Sequence, residues 1–104
     1  MATIGLKSFS TSGRLLGTRT VALSIRDIAE RALDSGEKVE FDFAGTNPTQ
    51  SFIDELIGAL VMDRGAEILR DLTMKNCSHD IKNILHFVVS DRIDQMKSRT
   101  LVAM

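Results

Sequence analysis

A single cysteine, Cys77, stands among the 104 residues, so the chain can close no internal disulfide and can assemble no thiolate metal cluster by itself. The longest apolar run, LIGALVM at 56–62, falls far short of the ~20 residues that span a bilayer. No charged-then-apolar segment opens the chain. These absences together lead us to expect a protein of the reducing cytoplasm, neither secreted nor membrane-spanning. An excess of one charge is also lacking. The 13 basic and 14 acidic residues are mostly interspersed and leave a net charge of −1, so no broad positive field exists to neutralise the phosphates of a nucleic acid. We find no nucleophile elbow, no phosphate-cradling glycine loop and no metal-binding signature. His79 and His86 share a helix face but lie about 10 Å apart along the axis, too far to ligate one ion. Cys77 has no base placed for it by the sequence, and a buried or idle thiol is the expectation. Enzyme activity therefore has no positive support, and no cofactor or metal is expected.

What is present reads as one globular domain. Hydrophobic residues make up 43% and charged residues 26%, an ordinary balance for a folded chain. A chain of this size buries somewhat over ~60% of its unfolded surface, enough for one modest core. Lys7, Arg14, Arg19 and Arg26 all precede the first acid, Asp27, which superficially resembles a transit peptide. The alternation in TIGLKS, with Ile4 and Leu6 on one side, reads instead as a strand of the fold. The domain is expected to span 1–96, with 97–104 frayed.

Strand and helix periods alternate along the chain. TIGLKS at 3–8 predicts a strand, and TSGRLLG at 11–17 a turn at Ser12-Gly13 and a short second strand. From Arg19 to Leu33 the residues Val21, Ile25, Ile28, Ala29 and Ala32 recur at helical spacing, and Gly36 stands where a left-handed cap is needed. KVEFDF at 38–43 alternates Val39, Phe41 and Phe43 against Glu40 and Asp42. A second helix is predicted from Ser51 to about Asp63, and a further strand over DLTMKN at 71–76. A third helix is predicted from Ser78 to about Met96, its apolar face formed by Ile81, Ile84, Leu85, Val88 and Ile93. Helical crossovers join strands most simply in parallel, so the class is α/β with a mostly parallel or mixed sheet. Strands that alternate leave one sheet face polar, so the helices should pack mainly on the other.

The stretches GTRTVALSIRDIAERAL, VEFDFAGTNPTQSFIDELIGAL and LTMKN carry a likeness to a family. Asp42, Phe43, Gly45, Gln50, Ser51, Phe52, Asp54 and Glu55 stand at its spacings, and over roughly 14–90 the chain resembles the STAS-like family of unassigned function. STAS domains proper are similar to the anti-sigma-factor antagonists. That resemblance implies a bacterial or phage regulatory module that binds a histidine-kinase-type ATPase and is switched by phosphorylating a Ser at the start of the helix after a central strand. Ser51 falls at that place and is the candidate phosphoacceptor, although Phe52 follows it where the antagonists carry Ser or Thr and then Gly.

The same residues also have plain structural readings. Ser51 with Asp54 forms a shortened capping box, and Asp54 and Glu55 complement the positive end of the helix dipole. Asp42 either holds the loop AGTNPT through backbone N–H groups or faces water. Gln50 serves no cap and can bind its own loop or present donors to a partner. Arg19, at a helix start that does not favour a cation, calls for a partner such as Asp42 or Asp54, or is simply solvated. If Asp42, Asp54 and Glu55 converge, they form an acidic rim at the strand end. The expected function is protein binding through Gln50, Ser51, Asp54, Glu55, Asp42 and Arg19. The alternatives are a nucleotide or small-anion site at the N-terminus of the second helix, and an enzyme using one of the three carboxylates.

Overall fold

The computed structural model describes residues 1–10 and 15–103. The turn expected at Ser12-Gly13 lies outside them. Three short alternating segments pair as one parallel sheet: β1 (Ala2–Gly5), β3 (Val39–Asp42) and β5 (Leu72–Lys75), in the order β1-β3-β5. The register aligns Ile4 with Phe41 and Phe41 with Met74, and one position on it aligns Gly5, Asp42 and Lys75. Side chains alternate across a strand, so Ala2, Ile4, Val39, Phe41, Leu72 and Met74 share one face while Thr3, Glu40, Asp42, Thr73 and Lys75 share the other. The first face is core, with Val39 and Phe41 fully buried, and the second is polar. Both crossovers step the same way across the sheet, and right-handed connections then put both helical layers on the apolar face.

β1 ends at Gly5, three residues short of the predicted strand, because the chain tightens into a 3₁₀ turn at Leu6–Phe9. The Ser8 hydroxyl donates to the Gly5 carbonyl at 2.8 Å, and Leu6 is still fully buried, so the alternation gave the burial but not the conformation. The short strand β2 (Leu15–Leu16) pairs in parallel with β4 (Asn47–Pro48), inside a stretch the sequence reads as turn. Pro48 is tolerated there because a two-residue ladder asks little of its missing N–H.

Helix α1 (Arg19–Asp34) opens on Thr18, whose hydroxyl oxygen accepts from the Val21 N–H at 3.4 Å. It buries Ala22, Ile25 and Ala29, while Ile28, expected on the core side, is 41% exposed. The small alanines define the line of contact, and Ile28 lies to one side of it. The helix ends as the sequence predicts: Gly36 takes φ +84°, its N–H donates to Leu33 and that of Glu37 to Ala32, each at 3.0 Å. Gly36→Ala should therefore lower stability by about 1 kcal/mol in denaturant unfolding, the strain of a Cβ in the left-handed region.

The second helix runs over 50–64 in three pieces: α2 (Gln50–Ile53), a π-helical stretch Asp54–Gly58, and α3 (Ala59–Arg64). The apolar pattern favours the widening. Phe52 and Ile53, Leu56 and Ile57, and Leu60 and Val61 are all buried, a repeat of four residues where an α-helix has about 3.6 per turn. A π turn holds more residues than an α turn and keeps the three pairs over the sheet. After Gly65 and a 3₁₀ turn at Ala66–Asp71 the chain enters β5.

Helix α4 (His79–Ala103) is capped by Ser78, whose hydroxyl oxygen accepts from the Ile81 N–H at 3.2 Å. It inserts Ile81, Leu85 and Val88 into the core and continues past Met96, since no Gly or Pro follows to stop it. Among the described residues no helix is long and apolar enough to cross a membrane.

Candidate functional site

The end of β3 and the start of the second helix bring most of the candidate residues to one end of the molecule. Asp42 closes the loop between them. Its Oδ1 accepts from the Ala44 N–H and from the Asn76 side-chain amide, each at 2.9 Å, so the loop-holding reading of this residue is the one realised. Those donors, Asn76 foremost, hold the Asp42 carboxyl below its ordinary value of 3.8, with Lys75 helping and burial opposing. A carboxyl whose pKa is lower in the folded state stabilises the fold above its unfolded value, and that contribution disappears as pH falls through the folded one. Asp42→Asn should accordingly flatten the loss of stability below about pH 4 in acid titration, while leaving its shape near neutrality unchanged.

Within the loop, buried Thr46 donates its hydroxyl to the Phe43 carbonyl at 2.6 Å. Gly45 takes φ +71° beneath the Lys7 side chain, where a Cβ would lie 2.9 Å from Lys7 Cδ.

The second helix is capped by Thr49, whose hydroxyl oxygen accepts from the Phe52 N–H at 3.1 Å. This corrects the expected cap at Ser51. The helix begins one residue earlier than the sequence predicts, which moves Ser51 into the first turn, exposed. Neither its hydroxyl nor the exposed Gln50 amide has a hydrogen-bond partner among the described residues. Thr49→Ala should cost about 1 kcal/mol and Ser51→Ala less than about 0.5 kcal/mol, measured by the same denaturant titration.

Asp54 makes no capping box either. It turns toward α4 and takes Arg92 in a forked pair, Nε to Oδ1 at 2.8 Å and Nη2 to Oδ2 at 2.6 Å. Donating to the Asp54 carboxylate raises the Arg92 pKa above its usual value. Gly58 makes room for this pair, since a Cβ there would stand 2.7 Å from Asp54 Oδ1 and 3.1 Å from Arg92 Nε.

Glu55 points the other way, toward α1, where Arg19 Nε lies 3.4 Å and Arg26 Nη1 3.9 Å from its Oε1. Arg19 thus has a partner, but it is Glu55 rather than Asp42 or Asp54. At 78% exposure the arginine gains little from the pair. The three acids therefore do not form a rim: each is held by a different element, Asp54 and Glu55 by arginines and Asp42 by amides.

Sequence reasoning passed over Arg26, Arg92 and Asn76. A signal for the arginines was available. Arg26 stands four residues after Ala22 and Arg92 four after Val88, on otherwise core-facing stripes, and a charge at such a position demands a partner. Elsewhere, an open hollow is lined by Met74, Asn76, Cys77, Lys82 and Leu85, and burial pushes the Cys77 thiol pKa up. His79 and His86 are both exposed, and no group of three potential metal ligands occurs among the described residues.

The DFAG loop thus joins the central strand of the parallel sheet to the helix opening QSFIDE. The family model for the STAS-like domain of unknown function (DUF4325) matches residues 22–82. The chain belongs to this STAS-like family. No curated protein and no solved structure matches it. In this STAS-like chain the matched segment runs from within α1 into the start of α4 and takes in Arg26, Asp42, Gln50, Ser51, Asp54 and Glu55. Arg19 and Arg92, the outer partners of Glu55 and Asp54, fall outside it.

Proposed function

We propose that this STAS-like domain is a non-enzymatic regulatory module that binds a protein partner through the exposed first turn of the second helix. Gln50 and Ser51 are its contact residues and Ser51 its candidate phosphoacceptor. A histidine-kinase-type ATPase is the partner class implied by the resemblance to the anti-sigma-factor antagonists. The observation that carries this reading is the division of labour at the helix start: Thr49 does the capping, and the Ser51 hydroxyl is exposed with no internal hydrogen bond among the described residues. A phosphate on Ser51 would gain from the positive end of the helix. It would also add between one and two negative charges to the surface the partner must approach, which is enough to change binding. Two of the carboxylates an enzyme would need, Asp54 and Glu55, are paired with arginines, which favours binding over catalysis.

The test is affinity purification from the source cell with wild type, Gln50→Ala and Ser51→Asp, with phosphosite mapping of the recovered wild type. The expected result is a partner retained by wild type and reduced at least tenfold by Ser51→Asp. A partner that ignores both substitutions contradicts the reading.

The anion-site alternative draws support from the β2–β4 pairing, which aligns the starts of α1 and the second helix within three residues of the ladder. Nucleotides and inorganic phosphate that leave the melting temperature unchanged would remove it.

A further inference from the structure

The widened turn Asp54–Gly58 separates the exposed first turn of the second helix from the rest of that helix, and two arginines hold it from opposite sides. In an α-helix the Ala59 N–H would donate to the Glu55 carbonyl. Here it donates to Asp54 instead, and Arg26 Nη1 takes its place on the Glu55 carbonyl at 3.3 Å. On the far side Arg92 forks onto the Asp54 carboxylate above Gly58, the residue whose missing side chain lets the two approach. Both arginine side chains are largely sheltered, 23% exposed for Arg26 and 24% for Arg92, so neither is a passing surface contact.

We propose that Arg26 and Arg92, neither of which belongs to the contact surface, are positioning residues that set the rotation of the first turn about the helix axis. Arg26 replaces the hydrogen bond that the π turn gives up, and Arg92 fixes the carboxylate at the start of that turn. Without them the Glu55 carbonyl regains the Ala59 N–H and the segment closes to regular α-helix. Gln50 and Ser51 then turn by roughly the 100° that one residue occupies. The buried pairs Phe52–Ile53 and Leu56–Ile57 favour the wide turn as well, so the arginines and the apolar pattern make separable contributions. The consequence for partner binding rests on the function proposed above. The helix register does not, and it can be read with no partner present.

The experiment is scalar coupling across hydrogen bonds in the isotope-labelled full chain, which reports the carbonyl that accepts the Ala59 N–H. Wild type, Arg26→Met and the double variant Arg26→Met/Arg92→Met are compared, and methionine keeps much of the apolar stem while removing the donors. The expected coupling is to Asp54 in wild type and to Glu55 in the double variant, with the Ser51 and Phe52 amide resonances moving in step. Arg26→Met alone is expected to show both couplings, and it decides the matter if the double variant does not fold. Coupling to Asp54 alone in every folded variant would overturn the proposal and leave the register to the apolar pairs. Coupling to Glu55 in wild type would overturn it as well.

Discussion

Phe41→Ala should lower the stability of the domain by about 3–5 kcal/mol, close to the whole margin that holds many domains of this size folded. Phe41 is fully buried in the central strand, between Ile4 and Met74 in register and beneath the helices of the apolar face. No exposed side chain can fold in to fill the space, because the strands on either side fix the positions of the neighbours. Equilibrium unfolding in urea gives the number directly. Phe87→Ala supplies the contrast: that phenylalanine is 56% exposed on α4, and its loss should cost less than about 0.5 kcal/mol.

Gly58→Ala should cost about 1–2 kcal/mol, although alanine is the better helix former by up to about 1 kcal/mol. The added Cβ would stand 2.7 Å from Asp54 Oδ1 and 3.1 Å from both Arg92 Nε and Val88 Cγ1, so Asp54 must leave its forked pair or α4 must move away. Hydrogen bonds to charged groups contribute about 1.5–3 kcal/mol each, which exceeds the gain in propensity even after the partly exposed position is discounted. A double-mutant cycle with Asp54→Ala separates the causes. If the clash acts through the pair, the two substitutions together cost less than their sum by about 1 kcal/mol. Strict additivity would assign the loss to α4 and Val88 instead.

The sheet was legible in the sequence because each strand is a short alternation with one face that must be buried, and Val39, Phe41 and Phe43 marked that face without ambiguity. The end of α1 was legible for a similar reason: Gly36 has the conformational freedom its position requires. The start of the second helix was less so. Thr49 and Ser51 are both good caps and stand two residues apart, and composition alone does not choose between them. The choice falls to Thr49 because Phe52 and Ile53 must both face the core, which pulls Gln50 into the first helical position. The π turn was written in the four-residue repeat of apolar pairs, a period that a search for 3.6 passes over. The partners of Asp54 and Glu55 were hidden because each lies more than 25 residues away in sequence, on helices whose relative placement only the fold decides. Ser51 is therefore freed of the capping role the sequence offered it, and the candidate site contracts from an acidic rim to an exposed helix turn.

The most direct measurement is site-specific photo-crosslinking in the source cell. The crosslinking residue replaces Gln50 in one version of the chain, which leaves Ser51 intact, and in another replaces the exposed Glu67, beyond the opposite end of the second helix. The expected result is one protein captured from position 50, absent from position 67, and lost from position 50 when Ser51→Asp is added. Capture of the same protein equally from both positions, or from position 67 alone, would contradict the assignment of the first turn as the working surface.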